Sequence, residues 1–570
     1  MNSTLQTIFG LLGGLALFIF GMNMMSECLQ KAAGEKMKSI LALLTKNPVM
    51  GVLAGALTTA VLQSSSATTV MAIGFVSAGL MNLPQAISII FGANIGTTMT
   101  AQIIAFNISD YIYIIIFLGF IVAFISKSEK VKNIANSVFS FGMLFLGIET
   151  MGSVMKPLAS SPIFIDLIDK VSGIPILGVL VGTTMTLVVQ SSSATIAVLQ
   201  NFACQPMADG VTSIIGLAGA IPILLGDNIG TTITAMLASV GQSKDAKRTA
   251  LAHCIFNITG SCIFIWFIKP FATFVQWISP NGPEIEVISR QIANAHTTFN
   301  IVMTLLWTPL IWLMVKIVTK LIKDDKEVVA NEFEPVFLEQ HLINQPAAAL
   351  ELAAREVLRL SEIVGDMIKG TRTAVQTEDI NDIQNVMHKN RIVIAINDKI
   401  LQYFSDMFSS GVLTEEQANK TAGMMQILSD IERLGILCRT VTDAVHEKME
   451  KKAAFSEAAM KDLQKSLRTM DELYQKVLLV MKEGNVENAK KIQKKKNKIM
   501  KLDMAMRKAH MKRVSEGTCS ADLTAPYNSM IQAISRMGTA CFNMADITLE
   551  QADFQYFIGS GQMTEATEIN

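Results

Sequence analysis

Gln63-Ser64-Ser65-Ser66-Ala67-Thr68 and Gln190-Ser191-Ser192-Ser193-Ala194-Thr195 are two copies of one hexapeptide, 127 residues apart, each set in an apolar stretch of membrane length. Four adjacent side chains that all need hydrogen-bond partners are expensive in hydrocarbon. One copy fits helix packing through Ser and Thr. Two copies point to a built site with internal symmetry.

The repetition extends outward on both sides. Gly92-Ala93-Asn94-Ile95-Gly96-Thr97-Thr98 follows the first copy and Gly226-Asp227-Asn228-Ile229-Gly230-Thr231-Thr232 the second, while Leu17–Gly21 upstream is echoed by Leu144–Gly147. The offsets of 126, 127 and 134 residues differ only by short insertions. Residues 1–320 therefore read as two diverged copies of one unit, a pattern of secondary transporters.

Charge divides the chain. Residues 1–320 hold 16 of the 48 Lys+Arg and 12 of the 48 Asp+Glu, so an apolar membrane part precedes a charge-rich soluble part. The net charge of zero favours no nucleic-acid partner. Seven scattered cysteines (Cys28, Cys204, Cys254, Cys262, Cys438, Cys519 and Cys541) form neither a disulfide framework nor a CxxC knuckle, which suits a reducing compartment for the soluble part. Met1–Thr7 lacks the basic region of a signal peptide, so Ile8–Asn23 is expected as a retained first span.

Basic loops at Lys31–Lys46, Lys127–Lys132, Lys244–Arg248 and Lys316–Lys326 are assigned to the cytoplasm, whereas 152–173 and 269–296 carry balanced charge. Crossings near 8–28, 84–107, 110–126, 133–151, 211–240, 250–268 and 298–319 satisfy every loop. The hexapeptide segments, 48–82 and 174–208, then enter and return on one side with the serines at the tip, the first from the cytoplasm and the second from outside. The expected fold is all-α: a polytopic membrane domain of two inverted repeats with re-entrant hairpins, with the soluble part cytoplasmic.

Each half-helix after the break, beginning near Ala67 or Ala194, would present backbone N–H groups with the positive end of its dipole. Ser64, Ser65, Ser66 and Thr68, with Ser191, Ser192, Ser193 and Thr195, are the candidate ligands of an oxyanion. No Lys or Arg lies in either motif, so mobile cations are expected to compensate the charge. Gln63, Gln190, Asn94, Thr97, Thr98, Asp227, Asn228, Thr231 and Thr232, with carbonyls freed around Gly92–Gly96 and Gly226–Gly230, offer hard oxygens that suit Na⁺. Asp227 is the one acid among them, facing Ala93 in the first copy.

Blander readings attach to the remaining features. Gly51 and Gly55 suit helix packing, Glu149 snorkelling or a loop-facing carboxylate, and Ala252-His253-x-x-Phe256-Asn257 with Ala295-His296-x-x-Phe299-Asn300 polar contacts at helix ends.

Together these motifs resemble the sodium-dependent phosphate cotransporter family, the type II sodium/phosphate group and its bacterial relatives, over the whole of 1–320. The resemblance supplies inorganic phosphate as the anion, and implies that the paired Gln-Ser-Ser-Ser regions line the phosphate and sodium path. No cofactor is implied beyond Na⁺ as a co-transported ion.

From Gln345 onward, apolar residues recur at three- and four-residue spacing, predicting helices over 347–370, 376–408, 415–448, 456–482, 486–515 and 524–551, packed as two three-helix bundles. This part resembles a PhoU-like domain through Asp430–Gly435, His510-x-x-Arg513-x-x-x-Gly517 and Ser535–Gly538. The family's Glu-Arg-Ile-Gly-Asp pattern places a metal-binding acidic pair on one face. Here Ile436 replaces one acid of the first copy, and Ser535 and Thr539 replace both of the second, so a regulatory or oligomerising role is expected before a metal cluster, with Glu432 a surface carboxylate.

The domains expected are 1–130 and 131–321 (the membrane repeats), a linker 322–345 containing Pro335, the helical domain 346–555 and a tail 556–570. The function expected is a Na⁺/phosphate symporter of the bacterial inner membrane working by alternating access. Two alternatives stand beside it: a phosphate sensor signalling through the helical domain, and a phosphate exporter using the same site. An enzyme finds no nucleophile–base pair, metal-spaced His/Cys cluster or P-loop in the sequence.

Overall fold

The computed structural model describes residues 3–41, 47–106, 108–159, 173–207, 209–323, 331–343, 345–411, 413–484 and 486–558. Much of the loop 152–173, most of the tail 556–570 and residues 324–330 and 344 of the linker thus lie outside the described residues. Among those described, regular structure is helical apart from one isolated antiparallel bridge, Pro206 to Ser213. The chain forms two compact units, Met1–Lys326 and Glu327–Asn570.

The first unit opens with α1 (Ser3–Leu41), α2 (Pro48–Leu62), α3 (Ser65–Ser77), α4 (Leu83–Ile104) and α5 (Ile112–Ile125). It continues with α6 (Glu129–Ala159), α7 (Pro175–Val189), α8 (Ser192–Ala203), α9 (Gly216–Ala238), α10 (Lys244–Phe264), α11 (Ile268–Trp277), α12 (Glu284–Trp307) and α13 (Ile311–Leu321). Among the described residues six helices are long and apolar enough to cross a membrane: Ile8–Ala32, Leu83–Ile104, Glu129–Val154, Gly216–Ala238, Lys244–Trp277 and Glu284–Leu321. Their outward residues are apolar, with Trp266, Trp277 and Trp312 exposed, as lipid contact requires.

Three sequence expectations change here. The segment 110–126 forms a helix of only 14 residues, α5, about 21 Å long and short of the hydrocarbon thickness, because a 3₁₀ turn at Ser109–Tyr111 precedes it and Ser126 ends it. The last span begins at Glu284 rather than near 298, with its capping residue Pro283 setting the start. The basic segment Lys31–Lys46 is not all loop, since α1 runs on to Leu41.

Packing follows the repeated glycines. A Cβ on Gly92 would lie 1.9 Å from the Val52 carbonyl oxygen, and one on Gly226 would lie 2.0 Å from that of Val179, so α2 meets α4, and α7 meets α9, backbone against backbone. Gly51 and Gly55 face Ser88 and the Ile89 backbone across the same seam, the packing role expected of them. The helices carrying Gly92–Gly96 and Gly226–Gly230 are unbroken, so these glycines provide close approach and free no carbonyls for a cation. α1 packs along α6, which joins the two echoing Leu-Phe segments.

The second unit contains α14 (Pro346–Thr377), α15 (Ile380–Ser409), α16 (Glu415–Glu450), α17 (Glu457–Glu483), α18 (Val486–Ser515), α19 (Thr524–Ile547) and a short α20 (Phe554–Ile558) after a π turn. The first three helices pack on one another, as do α17–α19, and α16 lies along α19. Glu432 is half-buried rather than at the surface, and accepts a 3.1 Å hydrogen bond from the Asn397 side-chain amide.

Candidate functional site

Both hexapeptides break their helix in the same way. Gln63 and Gln190 adopt left-handed backbone conformations (φ 51° and 55°), which end α2 and α7. Ser64 and Ser191 follow in extended conformation and cap α3 and α8, each hydroxyl accepting from the backbone N–H three residues on, Ala67 or Ala194, at 3.2 Å. The half-helices therefore begin at Ser65 and Ser192, two residues before the expected Ala, and the first serine of each run caps its half-helix through the hydroxyl oxygen, which leaves its O–H to donate. The first intrahelical bonds run from Thr68 N to Ser64 O and from Thr195 N to Ser191 O, so the N–H groups of Ser65, Ser66, Ser192 and Ser193 precede them.

Threonines brace each break. Thr59 Oγ1 meets Thr68 Oγ1 at 2.9 Å, and Thr186 Oγ1 meets Thr195 Oγ1 at 2.9 Å. Neither Thr59 nor Thr186 was singled out from sequence, although Gly55-x-x-x-Thr59 and Gly182-x-x-x-Thr186 keep the offset of 127 and could have revealed them.

The first serine run meets both motif helices. Ser65 Oγ lies 3.2 Å from Thr97 Oγ1 on α4, Gln63 Oε1 accepts from Thr100 at 3.1 Å, and Ser66 Oγ lies 3.2 Å from Thr234 Oγ1 on α9. In the second half, Thr186 donates at 2.7 Å to Asp227 Oδ1, also on α9. Seven residues, two helical turns or about 10 Å, separate Asp227 from Thr234. One helix thus carries contacts to both breaks. Gln190 is the exception among the paired residues: its side chain is exposed, whereas Gln63 is held in place.

Asp227 is fully buried, and its Oδ2 has no hydrogen-bond partner among the described residues. Among those residues no Lys or Arg side chain bonds to Asp227 or to either serine run. An anion there would meet hydroxyls and helix N-termini, and a cation would meet one carboxylate with threonine oxygens beside it.

Asn94 and Asn228 turn elsewhere. Asn94 Oδ1 pairs with His253 Nε2 at 3.1 Å, and Asn228 Oδ1 with His296 Nε2 at 3.3 Å. Both histidines are buried mid-helix, not at helix ends, because α10 and α12 run well past them on either side. Thr98, Thr231 and Thr232 bond carbonyls of their own helices. Of the candidate cation ligands, Gln63, Thr97 and Asp227 are the ones held at the breaks.

A sequence model described as Na+/Pi-cotransporter matches residues 17–153 and 155–278, and one described as PhoU domain matches 357–445. "Uncharacterized protein YqeW" of Bacillus subtilis is 33% identical over 305 residues, 54% of this chain and 95% of that protein. "Putative inorganic phosphate export protein YjbB" of Salmonella typhimurium is 23% identical over 549 residues, 96% of this chain and 98% of that protein. "Sodium-dependent phosphate transport protein 2A" of Rattus norvegicus is 39% identical over 97 residues, 17% of this chain and 15% of that protein. No solved structure matches the chain.

Proposed function

We propose that this chain, which belongs to the Na+/Pi-cotransporter family and carries a PhoU domain, moves inorganic phosphate across a bacterial inner membrane with net movement outward. The family is one of transporters, and the protein is a multi-pass membrane protein rather than an enzyme.

The carrying observation is the pair of matched helix breaks contacting one helix, α9, with hydroxyls and, among the described residues, no Lys or Arg bonded at either. Phosphate binds Ser64–Ser66 and Ser191–Ser193 with Thr68 and Thr195, from helix N-termini that present donors without a compensating Lys or Arg. Residues 1–130 and 131–321 act as inverted repeats, and α2–α3 and α7–α8 as re-entrant hairpins, each half-helix being too short to cross alone. Alternating access follows from movement of the hairpins against the surrounding helices. The PhoU domain faces the cytoplasm and regulates the cycle.

Direction turns on charge. An inside-negative potential favours exit of a divalent phosphate by about 2.3 kcal/mol per charge per 100 mV. The potential therefore drives a cycle carrying fewer than two Na⁺ outward and one carrying three inward. The export reading is supported by the relatives that align through both units, since the sodium-dependent relative aligns over 97 residues only. Sodium at Gln63, Thr97 and Asp227 belongs to the inward form of the cycle.

Radiolabelled phosphate flux in proteoliposomes, at clamped potential with and without Na⁺, tests the proposal. Efflux that accelerates with inside-negative potential and needs no Na⁺ is expected. Uphill uptake driven by Na⁺ would make the protein an importer. Binding without flux under either gradient would make it a sensor.

A further inference from the structure

Helix α18 carries a basic face that neither phosphate transport nor the packing of its domain uses. Between residues 491 and 512 it holds nine Lys and Arg against one acid, Asp503, which pairs with Arg507 at 2.5 Å. Its buried face is Ile492, Ile499, Met506 and His510. At about 100° per residue, Lys494, Lys498, Lys501, Lys508 and Lys512 fall within about 80° of one another and run about 27 Å along the helix. All five are exposed, and the first four form no ion pair among the described residues; Lys512 pairs with Glu516 at 3.6 Å.

Directly beside this stripe lies a second one. Met500, Met504 and Met511 are 45%, 67% and 59% exposed, and share the neighbouring sector of the same helix. A solvated basic face has no use for a row of exposed thioethers.

We infer that α18 docks on an anionic bilayer surface, its lysines on lipid phosphates and its methionines among the upper acyl chains. Juxtaposed basic and apolar stripes are the pattern of a helix lying in a membrane interface, and each Lys near an anionic surface is drawn to it. A polyanion such as nucleic acid would use the lysines and leave the methionines in water. The chain itself tethers α18 to a bilayer, since the membrane unit ends at Lys326 and the second unit begins at Glu327.

The test uses the full chain in nanodiscs of phosphatidylcholine alone or with phosphatidylglycerol. Acetylation of lysines by a water-soluble succinimidyl ester is followed by mass spectrometry, with exposed Lys461 and Lys465 of α17 as internal references. Lys494, Lys498, Lys501 and Lys508 are expected to react several-fold more slowly in the anionic discs, and to regain their rate in Met504→Glu. Equal rates in the two discs, fast or slow, overturn the inference. So does slowing shared by Lys461 and Lys465, or protection that Met504→Glu leaves intact.

Discussion

Ser66 and Thr234, 168 residues apart in sequence, meet at 3.2 Å hydroxyl to hydroxyl, and through them the first serine run touches the helix of the second motif. Thr234 has one hydroxyl hydrogen and two acceptors in reach, Ser66 Oγ and the Thr231 carbonyl oxygen at 3.0 Å. When Thr234 donates to Ser66, the Ser66 hydrogen is left for an anion. Ser66→Ala should then raise the phosphate KM about tenfold, the scale of one hydrogen bond to a charged group. Thr234→Val should raise it less, and the double variant should be no worse than Ser66→Ala alone. Additive effects in proteoliposome flux would mean that the two hydroxyls act separately.

The glycine seams give a prediction about stability. Gly92→Ala or Gly226→Ala drives a Cβ into a carbonyl oxygen about 2 Å away on the facing helix, so two backbones must separate. Each should destabilise the membrane unit by about 3 kcal/mol, the upper range for overpacking, and lower its thermal midpoint in detergent. Gly13→Ala, with nothing within 4 Å of the new Cβ, should leave the midpoint where it was.

These seams also show what sequence could and could not reveal. The six long helices of the second unit follow their apolar spacing closely, and the helix breaks fall where polar runs interrupt apolar ones. Gly92–Gly96 misled because glycine suits both an unwound segment and a close helix contact, and only the facing backbone decides between them. Asn94 and Asn228 were grouped with the cation ligands by sequence adjacency. Their partners, His253 and His296, lie 159 and 68 residues away, a distance no local pattern encodes. Thr59 and Thr186 were legible by offset, but a lone threonine in an apolar helix carries no signal until its partner is seen.

Asp227 separates the two halves chemically, since its counterpart is Ala93. A fully buried carboxylate with one hydrogen bond and, among the described residues, no basic partner is stable as an anion only with a cation beside it. Asp227→Ala, which gives the second half the residue of the first, should weaken Na⁺ activation of inward phosphate flux at least tenfold and leave the Na⁺-independent efflux unchanged. Thr186→Val should do so partially. The check is a Na⁺ titration of flux in proteoliposomes; an unaltered activation curve in Asp227→Ala would remove this carboxylate from the cation site.

The PhoU domain carries its own pH dependence through Asp430, a buried residue beside the exposed Arg433. Burial pushes its carboxyl up to about 6, with the Arg433 charge pulling the other way. The folded domain thus binds this proton more tightly than the unfolded chain, whose Asp titrates near 3.9. Stability from this group is fully present below about pH 4 and is lost as pH rises through 6. The whole span is worth about 3 kcal/mol, and the part between pH 5 and 7 about 1.3 kcal/mol. For a unit of this size that is about 3–4 °C in thermal midpoint, lower at pH 7 than at pH 5. Asp430→Asn removes the ionisable group while keeping its shape, so its midpoint should lack this decline and exceed that of the parent above pH 6. Thermal unfolding of the intact protein in detergent at pH 5 and 7 measures both; a parent and variant that change in parallel with pH would place the titrating group elsewhere.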